Sequence, residues 1–177
     1  MGAVNHDLRA VDPFIVPMPP YPLGFGGFYT VPFLFDWAAL KASQAWTLNP
    51  NAPDTLVFTT IPIGAQIHGV LFNVVDPITD AGTVLMSVGD FSSASAAIDA
   101  DGYLGSTPLS IKAAGYGGTV LADAYAAATK VYSAAAYLGI LFSGTCTEIT
   151  TGRMWVAVKM SFISFPDLSV VAPTTWH

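Results

Sequence analysis

The sequence is poor in charged residues. Of its 177 residues only 10% are Asp, Glu, Lys or Arg, and 53% are hydrophobic; a typical soluble domain carries roughly 25% charged residues. A compact monomer of 18.5 kDa would expose about 8,000 Å². Its 12 acidic and 6 basic residues therefore give about one charge per 450 Å², which is sparse for a free monomer. We expect other subunits to cover part of this surface.

Basic residues and cysteine are scarce as well. With 6 Lys and Arg and a net charge of −6, the sequence lacks the positive patch that nucleic-acid binding requires. The single cysteine, Cys146, excludes an intrachain disulfide and a cysteine-based zinc site, and we expect it to be a small buried or turn residue. Intrinsic disorder is not expected, because disordered chains combine low hydrophobicity with high charge.

No membrane segment or leader is predicted. The uncharged stretch 13–35 is long enough to cross a bilayer, but six prolines interrupt it and would break a helix. The first twelve residues lack a basic region followed by an apolar one. We expect a soluble chain with no membrane partner.

Residues that could support catalysis or bind a metal are few and scattered. His6 and His177 lie near the two ends of the sequence, and His68 falls inside an apolar stretch, where a sheet-surface or packed histidine is expected. Asp99-x-Asp101-Gly102 resembles the opening of a calcium loop but lacks the downstream ligands, which favours a plain turn. We therefore expect no enzyme, no cofactor and no metal site.

The chain divides into three zones. Residues 1–42 form a predicted extended arm, because six of the thirteen prolines lie there between aromatic residues. Such an arm cannot bury its own rings, so we expect them to contact a folded surface of the same chain or of a neighbour. Residues 43–165 carry the strand patterns, and 166–177 form a proline-bounded tail. The candidate interface residues of the arm are Phe14, Tyr21, Phe25, Phe28, Tyr29, Phe33, Phe35 and Trp37.

The middle zone predicts an all-β fold. Strands are expected at Thr55–Ile61, Ala65–Val75, Thr83–Val88, Val131–Tyr132, Tyr137–Phe142 and Arg153–Phe165. We expect the second and third of these to form a hairpin, with Ile67, Leu71 and Val75 on one face. Val131–Tyr132 is expected to pair with Tyr137–Phe142, Asp90 to mark a strand end, and Thr107–Ala114 to hold a short helix. Short strands, few helices and abundant turn residues favour an antiparallel β-sandwich of jelly-roll type, with the extended proline- and aromatic-rich N-terminal arm.

Several short motifs, in order, resemble a known group of proteins. They are Ile61-Pro62-Ile63-Gly64-Ala65, then Thr83–Asp90 (TVLMSVGD), Asp101-Gly102-Tyr103-Leu104 and Ile111–Gly115 (IKAAG). This string is similar to one seen in small structural proteins of tailed bacteriophages, including capsid decoration (cement) proteins, and it covers roughly residues 60–165. The resemblance implies a jelly-roll or similar sandwich on the virion, commonly trimeric; the arm is not part of the pattern.

Together these features predict a virion structural protein that binds the outer surface of an icosahedral phage capsid and cements neighbouring major capsid proteins. Its expected partners are the major capsid protein and further copies of itself, most simply as a trimer. Two alternatives stay open at this point. One is a tail or fibre domain that contacts a host receptor. The other is a carbohydrate-binding module, for which the tryptophans are candidates: Trp37, Trp46, Trp155 and Trp176.

Overall fold

Strands dominate the part of the chain that the structure describes. The computed structural model describes residues 5–7, 29–44, 47–93, 96–103, 108–119 and 130–162. The strands are β1 (Asn5–Asp7), β2 (Tyr29–Asp36), β3 (Thr55–Ile61), β4 (Ala65–Asp76), β5 (Val84–Ser93), β6 (Ala96–Asp99), β7 (Leu109–Ser110), β8 (Gly115–Thr119), β9 (Ala136–Gly144) and β10 (Arg153–Phe162). In these ranges one helix is present, α1 (Trp37–Gln44). It is too short to cross a membrane.

The strands form two sheets whose pairing is that of a jelly roll. Sheet A has the order β1-β3-β9-β5-β6, with β7 also paired to β5, and sheet B has the order β2-β10-β4-β8. Apart from β1 and β7, the strands pair in a nested order: β2 with β10, β3 with β9, β4 with β8 and β5 with β6. This nested pairing produces the two Greek keys of a jelly roll. The predicted fold class is confirmed.

The hydrophobic core lies between the two sheets. Every second residue of β10 from Met154 to Met160 is buried, and the predicted inner face of Met154, Val156, Val158 and Met160 is confirmed. From sheet A, β9 contributes alternate residues in the same way. The sheets meet where the ring of Phe58 on β3 packs against Phe33 and Phe35 of β2, with centroids 4.9 and 5.4 Å apart.

Residues 29–44 belong to this sandwich, so the predicted arm boundary at residue 42 is wrong. β2 pairs with β10 along its full length, and Phe33, Phe35 and Trp37 are buried in the core. Trp37 begins α1, where Oδ1 of Asp36 accepts a hydrogen bond from the Ala39 N–H at 3.0 Å and so caps the helix N-terminus. The remaining predicted arm, residues 8–28, lies outside the described residues, as does the tail 166–177.

A register irregularity in β4 changes which residues face the core. Lys159 of β10 pairs with Gly69, but the next residue, Met160, pairs with Ile67. The extra residue on β4 is typical of a β-bulge, which reverses the alternation beyond it. Ile67 is therefore buried, whereas Leu71 and Val75 are exposed. The prediction that these three residues share one face is wrong for this reason.

Three local predictions are also wrong. β4 and β5 lie in different sheets, so the loop between them crosses the sandwich and does not close a hairpin. Val131 makes an isolated bridge to Gln66 on β4 and does not pair with β9. Within 107–114, the described residues contain the short strand β7 and no helix, because Leu109–Ser110 pairs with β5.

Candidate interaction surface

The predicted interface residues do not form one surface in this structure. Phe33, Phe35 and Trp37 are only 2–3% exposed, and Trp37 stacks on Phe35 with ring centroids 5.3 Å apart. These three rings stabilise the core and are not accessible to a partner, which corrects the prediction. Tyr29 begins β2, opposite Met160. The other four lie outside the described residues: Phe14, Tyr21, Phe25 and Phe28.

The outward faces of the two sheets differ in exposure. On sheet A, the outward positions Val57, Ser87 and Phe91 are all buried, and the Phe91 ring lies against Gly139, where an added Cβ would come within 2.7 Å of it. On sheet B, the outward side chains of Leu71 and Trp155 are 55% and 39% exposed. Among the described residues, the middle of sheet B is therefore more accessible than the middle of sheet A.

We call this surface the β2–β10–β4 face. The register places Leu34 of β2 and Asn73 of β4 on either side of Trp155, and Pro32 and Leu71 on either side of Ala157. All of these side chains are uncharged. Its members are Thr30, Pro32, Leu34, Leu71, Asn73, Trp155 and Ala157, which the register aligns, together with the exposed Val75.

Charged and polar groups border this face at both ends. At one end the Arg153 guanidinium pairs with the Asp76 carboxylate, and the hydrogen bond and charge of Asp76 raise the pKa of Arg153. At the other end Lys159 lies beside the bulge, and His68 Nε2 is 2.6 Å from Ser161 Oγ. An apolar centre with a polar rim is the usual arrangement of a protein–protein contact surface.

His68 is partly buried and held by the sheet, as the sequence predicted. Burial and the nearby positive charge of Lys159 lower its pKa below the ordinary value, so the neutral form is favoured. A neutral imidazole adds no charge to the edge of the β2–β10–β4 face.

A buried polar network ties the segment 130–132 and the turn after β6 to β5. Asp90 is fully buried, and its Oδ2 accepts hydrogen bonds from Tyr132 Oη at 2.8 Å and from Lys130 Nζ. The hydroxyls of Tyr132 and Tyr103 are hydrogen-bonded to each other, and burial raises the pKa of both phenols. Asp90 therefore lies inside β5 with side-chain partners, which corrects its predicted place at a strand end.

A second polar cluster organises the loops at one end of the sandwich. The Asp80 carboxylate accepts hydrogen bonds from the backbone and hydroxyl groups of Thr150 and Thr151, at 2.5 to 3.2 Å. Burial alone would raise the pKa of Asp80, but these hydrogen bonds outweigh it and lower the pKa below the ordinary value. Lys112 Nζ donates to the carbonyl oxygens of Asp80 and Gly82. These hydrogen bonds tie the loop around Asp80 to the segments that contain Lys112 and Thr150.

The remaining candidates that the structure describes are not grouped into a reactive site. Cys146 is buried, as predicted, and its thiol donates to the Glu148 carbonyl. Burial and the neighbouring Asp101 raise the pKa of Asp99. In the described part of the chain, no three His, Cys, Asp or Glu side chains are grouped to hold a metal ion. Of the four tryptophans, Trp155 is half-exposed and Trp37 is buried, whereas Trp46 and Trp176 lie outside the described residues.

This chain is similar to known proteins in structure but not in sequence. No protein-family profile matches the chain, and no curated protein is similar to it in sequence. A chain from the structure titled "Capsid of Ralstonia phage GP4" superposes with a TM-score of 0.58 and 12% identity, over 92% of this chain and 100% of that one. A chain from the "Cyanophage Pam1 capsid asymmetric unit" is 18% identical over 80% of this chain and 89% of that one, with a TM-score of 0.44. The first likeness shows a shared fold, and the second is too weak to establish one.

Proposed function

We propose that this chain is a structural protein of a phage virion that binds the outer surface of an icosahedral capsid and cements neighbouring major capsid proteins. The observation that carries the proposal is the shared fold with a chain of the Ralstonia phage GP4 capsid, which is matched over its whole length. The motif string between Ile61 and Gly115 gives independent support, because it resembles the same class of protein. A structural role needs no reactive group, which agrees with the scattered His, Cys and acidic residues.

The β2–β10–β4 face is the surface that we assign to the capsid contact. Leu71 and Trp155 keep 55% and 39% of their surface exposed. A fully buried Leu contributes roughly 1.5–3 kcal/mol, so covering the exposed part of Leu71 is worth about 1 kcal/mol. A Trp side chain has roughly 150–250 Å² of surface, so about 60–100 Å² of Trp155 is exposed. At about 25 cal/mol per Å², covering this area adds about 2 kcal/mol. Together they account for roughly a 100-fold change in affinity.

The dimensions of this face favour attachment as an oligomer. Three strands spaced about 4.8 Å apart, with eight residues each rising about 3.3 Å, cover roughly 400 Å². A stable interface buries about 800 Å² on each partner, so one copy would bind weakly. Several linked copies would bind far more tightly through their combined contacts. We therefore propose a homo-oligomer, most simply a trimer, and this also agrees with the sparse surface charge.

The test is co-sedimentation of the full-length protein with shells assembled from the major capsid protein of the same phage. Replacing both Leu71 and Trp155 by alanine is expected to weaken binding by at least tenfold without unfolding the sandwich. The matched control is Ile98→Ala on β6, since Ile98 is 53% exposed but lies on the other sheet. It should bind as tightly as the parent.

Two results would contradict the proposal. One is no binding of the parent protein to shells at any concentration tested, together with detection of the chain only in tails; this would favour the receptor-contacting alternative. The other is binding of an isolated monomer to a glycan array that Trp155→Ala abolishes, in the absence of shell binding; this would favour a carbohydrate-binding module.

A further inference from the structure

The two ends of the sandwich differ in charge. At one end Arg153, the first residue of β10, is in register with Asp36 and Asp76, the last residues of β2 and β4. Helix α1 and the loops that lead into β3, β5, β8 and β10 lie at this end. Their described residues and the adjoining strand ends carry charged side chains of both signs: Asp36, Lys41, Asp54, Asp76, Asp80, Lys112, Glu148 and Arg153.

The opposite end has no charged side chain in the described parts of its loops. β9 begins there at Ala136, in register with Ile61 at the end of β3, and Tyr137 is in register with Phe91 near the end of β5. We call this surface the uncharged end. Its described residues are 62–64 after β3, 131–135 before β9, and Ser92, Ser93, Ala96 and Ala97 where β5 and β6 meet.

Backbone hydrogen bonds hold two segments of the uncharged end side by side. The Gly64 N–H donates to the Tyr132 carbonyl at 2.7 Å, and the Tyr132 N–H donates to the Ala65 carbonyl at 3.0 Å. Next to these bonds, the apolar side chains of Ile63 and Val131 are 50% and 42% exposed. The uncharged end therefore presents exposed aliphatic groups on a backbone that is fixed in place.

Two lysines adjoin the uncharged end without forming part of it. Lys130 precedes the segment 131–135, but its Nζ pairs with the buried Asp90 carboxylate. Lys159 of β10 is in register with Gly69 of β4 and belongs to the rim of the β2–β10–β4 face. Neither lysine interrupts the apolar surface around Ile63 and Val131.

Symmetry places a specific demand on the surface through which identical subunits meet. Around a rotation axis, the residues nearest the axis contact their own copies, so a charged residue there meets the same charge, which is unfavourable. The chain carries 12 acidic and 6 basic residues, so contacts between its charged surfaces would be repulsive on balance. The uncharged end avoids this repulsion, and the centre of a subunit interface is depleted of charge in the same way.

The uncharged end and the β2–β10–β4 face can be used at the same time. The face lies on the flat side of sheet B, and the end lies where the strands terminate, so the two surfaces are roughly perpendicular. Subunits that rest on a shell through this face can therefore direct their uncharged ends toward a common axis. This arrangement favours a second copy of the chain as the occupant.

We propose that the uncharged end is the contact between copies of this chain and that it faces the rotation axis of the oligomer. Ile63 and Val131 then pack against the same end of neighbouring copies. The proposal rests on the homo-oligomer proposed above and identifies the surface that links its subunits.

The first test places a charge on the uncharged end of the full-length protein, without capsids. Ile63→Asp changes an exposed turn residue, so the core stays intact, but the added carboxylates face one another at the axis. Light scattering should show an oligomer for the parent and a mass of one chain, 18.5 kDa, for the variant, with an unchanged circular dichroism spectrum. The matched control is Leu71→Asp on the β2–β10–β4 face, since Leu71 is 55% exposed; it should keep the mass of the parent. A monomeric parent, or an unchanged mass for Ile63→Asp, would overturn the proposal.

A second test traps the contact covalently and does not depend on an added charge. Cys146→Ala removes the native thiol, so Ile63→Cys leaves one cysteine in each chain and every disulfide joins two chains. After mild oxidation we expect covalent dimers on a non-reducing gel, and little cross-linking for the control Leu71→Cys. Equal cross-linking of the two variants would overturn the proposal.

Binding to shells separates this proposal from the proposed function. A protein that is cross-linked at Ile63 but does not bind shells would contradict the proposed function and leave the subunit contact intact. A protein that binds shells but is not cross-linked at Ile63 would contradict the subunit contact and leave the proposed function intact.

Discussion

The buried Asp90 network should contribute more to the free energy of unfolding than the exposed ion pairs Lys41–Glu148 and Arg153–Asp76. Asp90 is fully buried, and its Oδ2 accepts from both Lys130 Nζ and Tyr132 Oη. Asp90→Asn keeps the shape of the side chain but removes the charge that both donors contact. Charge-assisted hydrogen bonds contribute about 1.5–3 kcal/mol each, and loss of one partner from a buried pair costs about 3–5 kcal/mol. Lys130 keeps 28% of its side chain exposed, so water partly solvates its charge once the Asp90 carboxylate is gone. We therefore expect the free energy of unfolding to fall by about 2–4 kcal/mol.

Chemical and thermal unfolding measure this loss. A change of 1 kcal/mol shifts the melting temperature by about 2–4 °C in a domain of this size, so Asp90→Asn should lower it by roughly 5–15 °C. Combining Asp90→Asn with Lys130→Met should cost less than the sum of the single changes, because the two side chains contact each other. The control is Lys41→Met, which breaks the exposed pair with Glu148 and should cost less than about 1 kcal/mol. Full additivity, or an Asp90→Asn effect no larger than the control, would refute this account of the network.

Three further predictions concern the core and the two titrating groups. Phe35→Ala should destabilise the sandwich by about 3–5 kcal/mol in urea unfolding, and an effect below 1 kcal/mol would contradict the placement of β2 in the core. Because the folded pKa of His68 is lowered, the unfolded state binds more protons below pH about 6.5; stability should fall with acidification there, and less steeply in His68→Gln. Because the folded pKa of Asp80 is lowered, its contribution should be lost as the pH falls below about 4. Asp80→Asn should be less stable than the parent at pH 7 but should approach it near pH 3, and a constant difference would contradict this.

The alternation of apolar residues was sufficient to predict the fold class and the inner face of β10. Met154 to Met160 alternate without interruption, and a strand with one buried face has a period of two. The same rule gave the wrong face for β4, because the extra residue at its bulge reverses the alternation. Nothing in the local pattern around His68 and Gly69 marks that residue as extra; the register with β10 decides it.

The predicted boundary at residue 42 is wrong because Pro32, which the proline pattern assigns to the arm, lies in a strand. Pro32 lies in β2, at the edge of sheet B, and edge strands accept proline because one row of their backbone groups is unpaired. A start signal for α1 was present, since Asp36 precedes Trp37 and caps the helix. Deletion of residues 1–40 would thus remove a core strand and unfold the sandwich, contrary to the expectation from an arm that ends at residue 42.

The candidate interaction surface and the buried network could not be predicted from one sequence. Asp90 and Tyr132 are 42 positions apart, and no local motif relates them. Trp155 and Leu71 each alternate with core residues on their strands, so the sequence pattern does not distinguish them from ordinary outward-facing residues. Only the pairing of β10 with β2 and β4 brings them together with Leu34 on one accessible face.

The proposed function is best tested by electron cryo-microscopy of the virions in which we propose that this chain occurs. We expect jelly-roll density at symmetry-related positions on the outer surface of the capsid shell, with the Trp155 and Leu71 side chains buried against a major capsid protein. Absence of the sandwich from the shell, or its presence there with the β2–β10–β4 face open to solvent, would contradict the account.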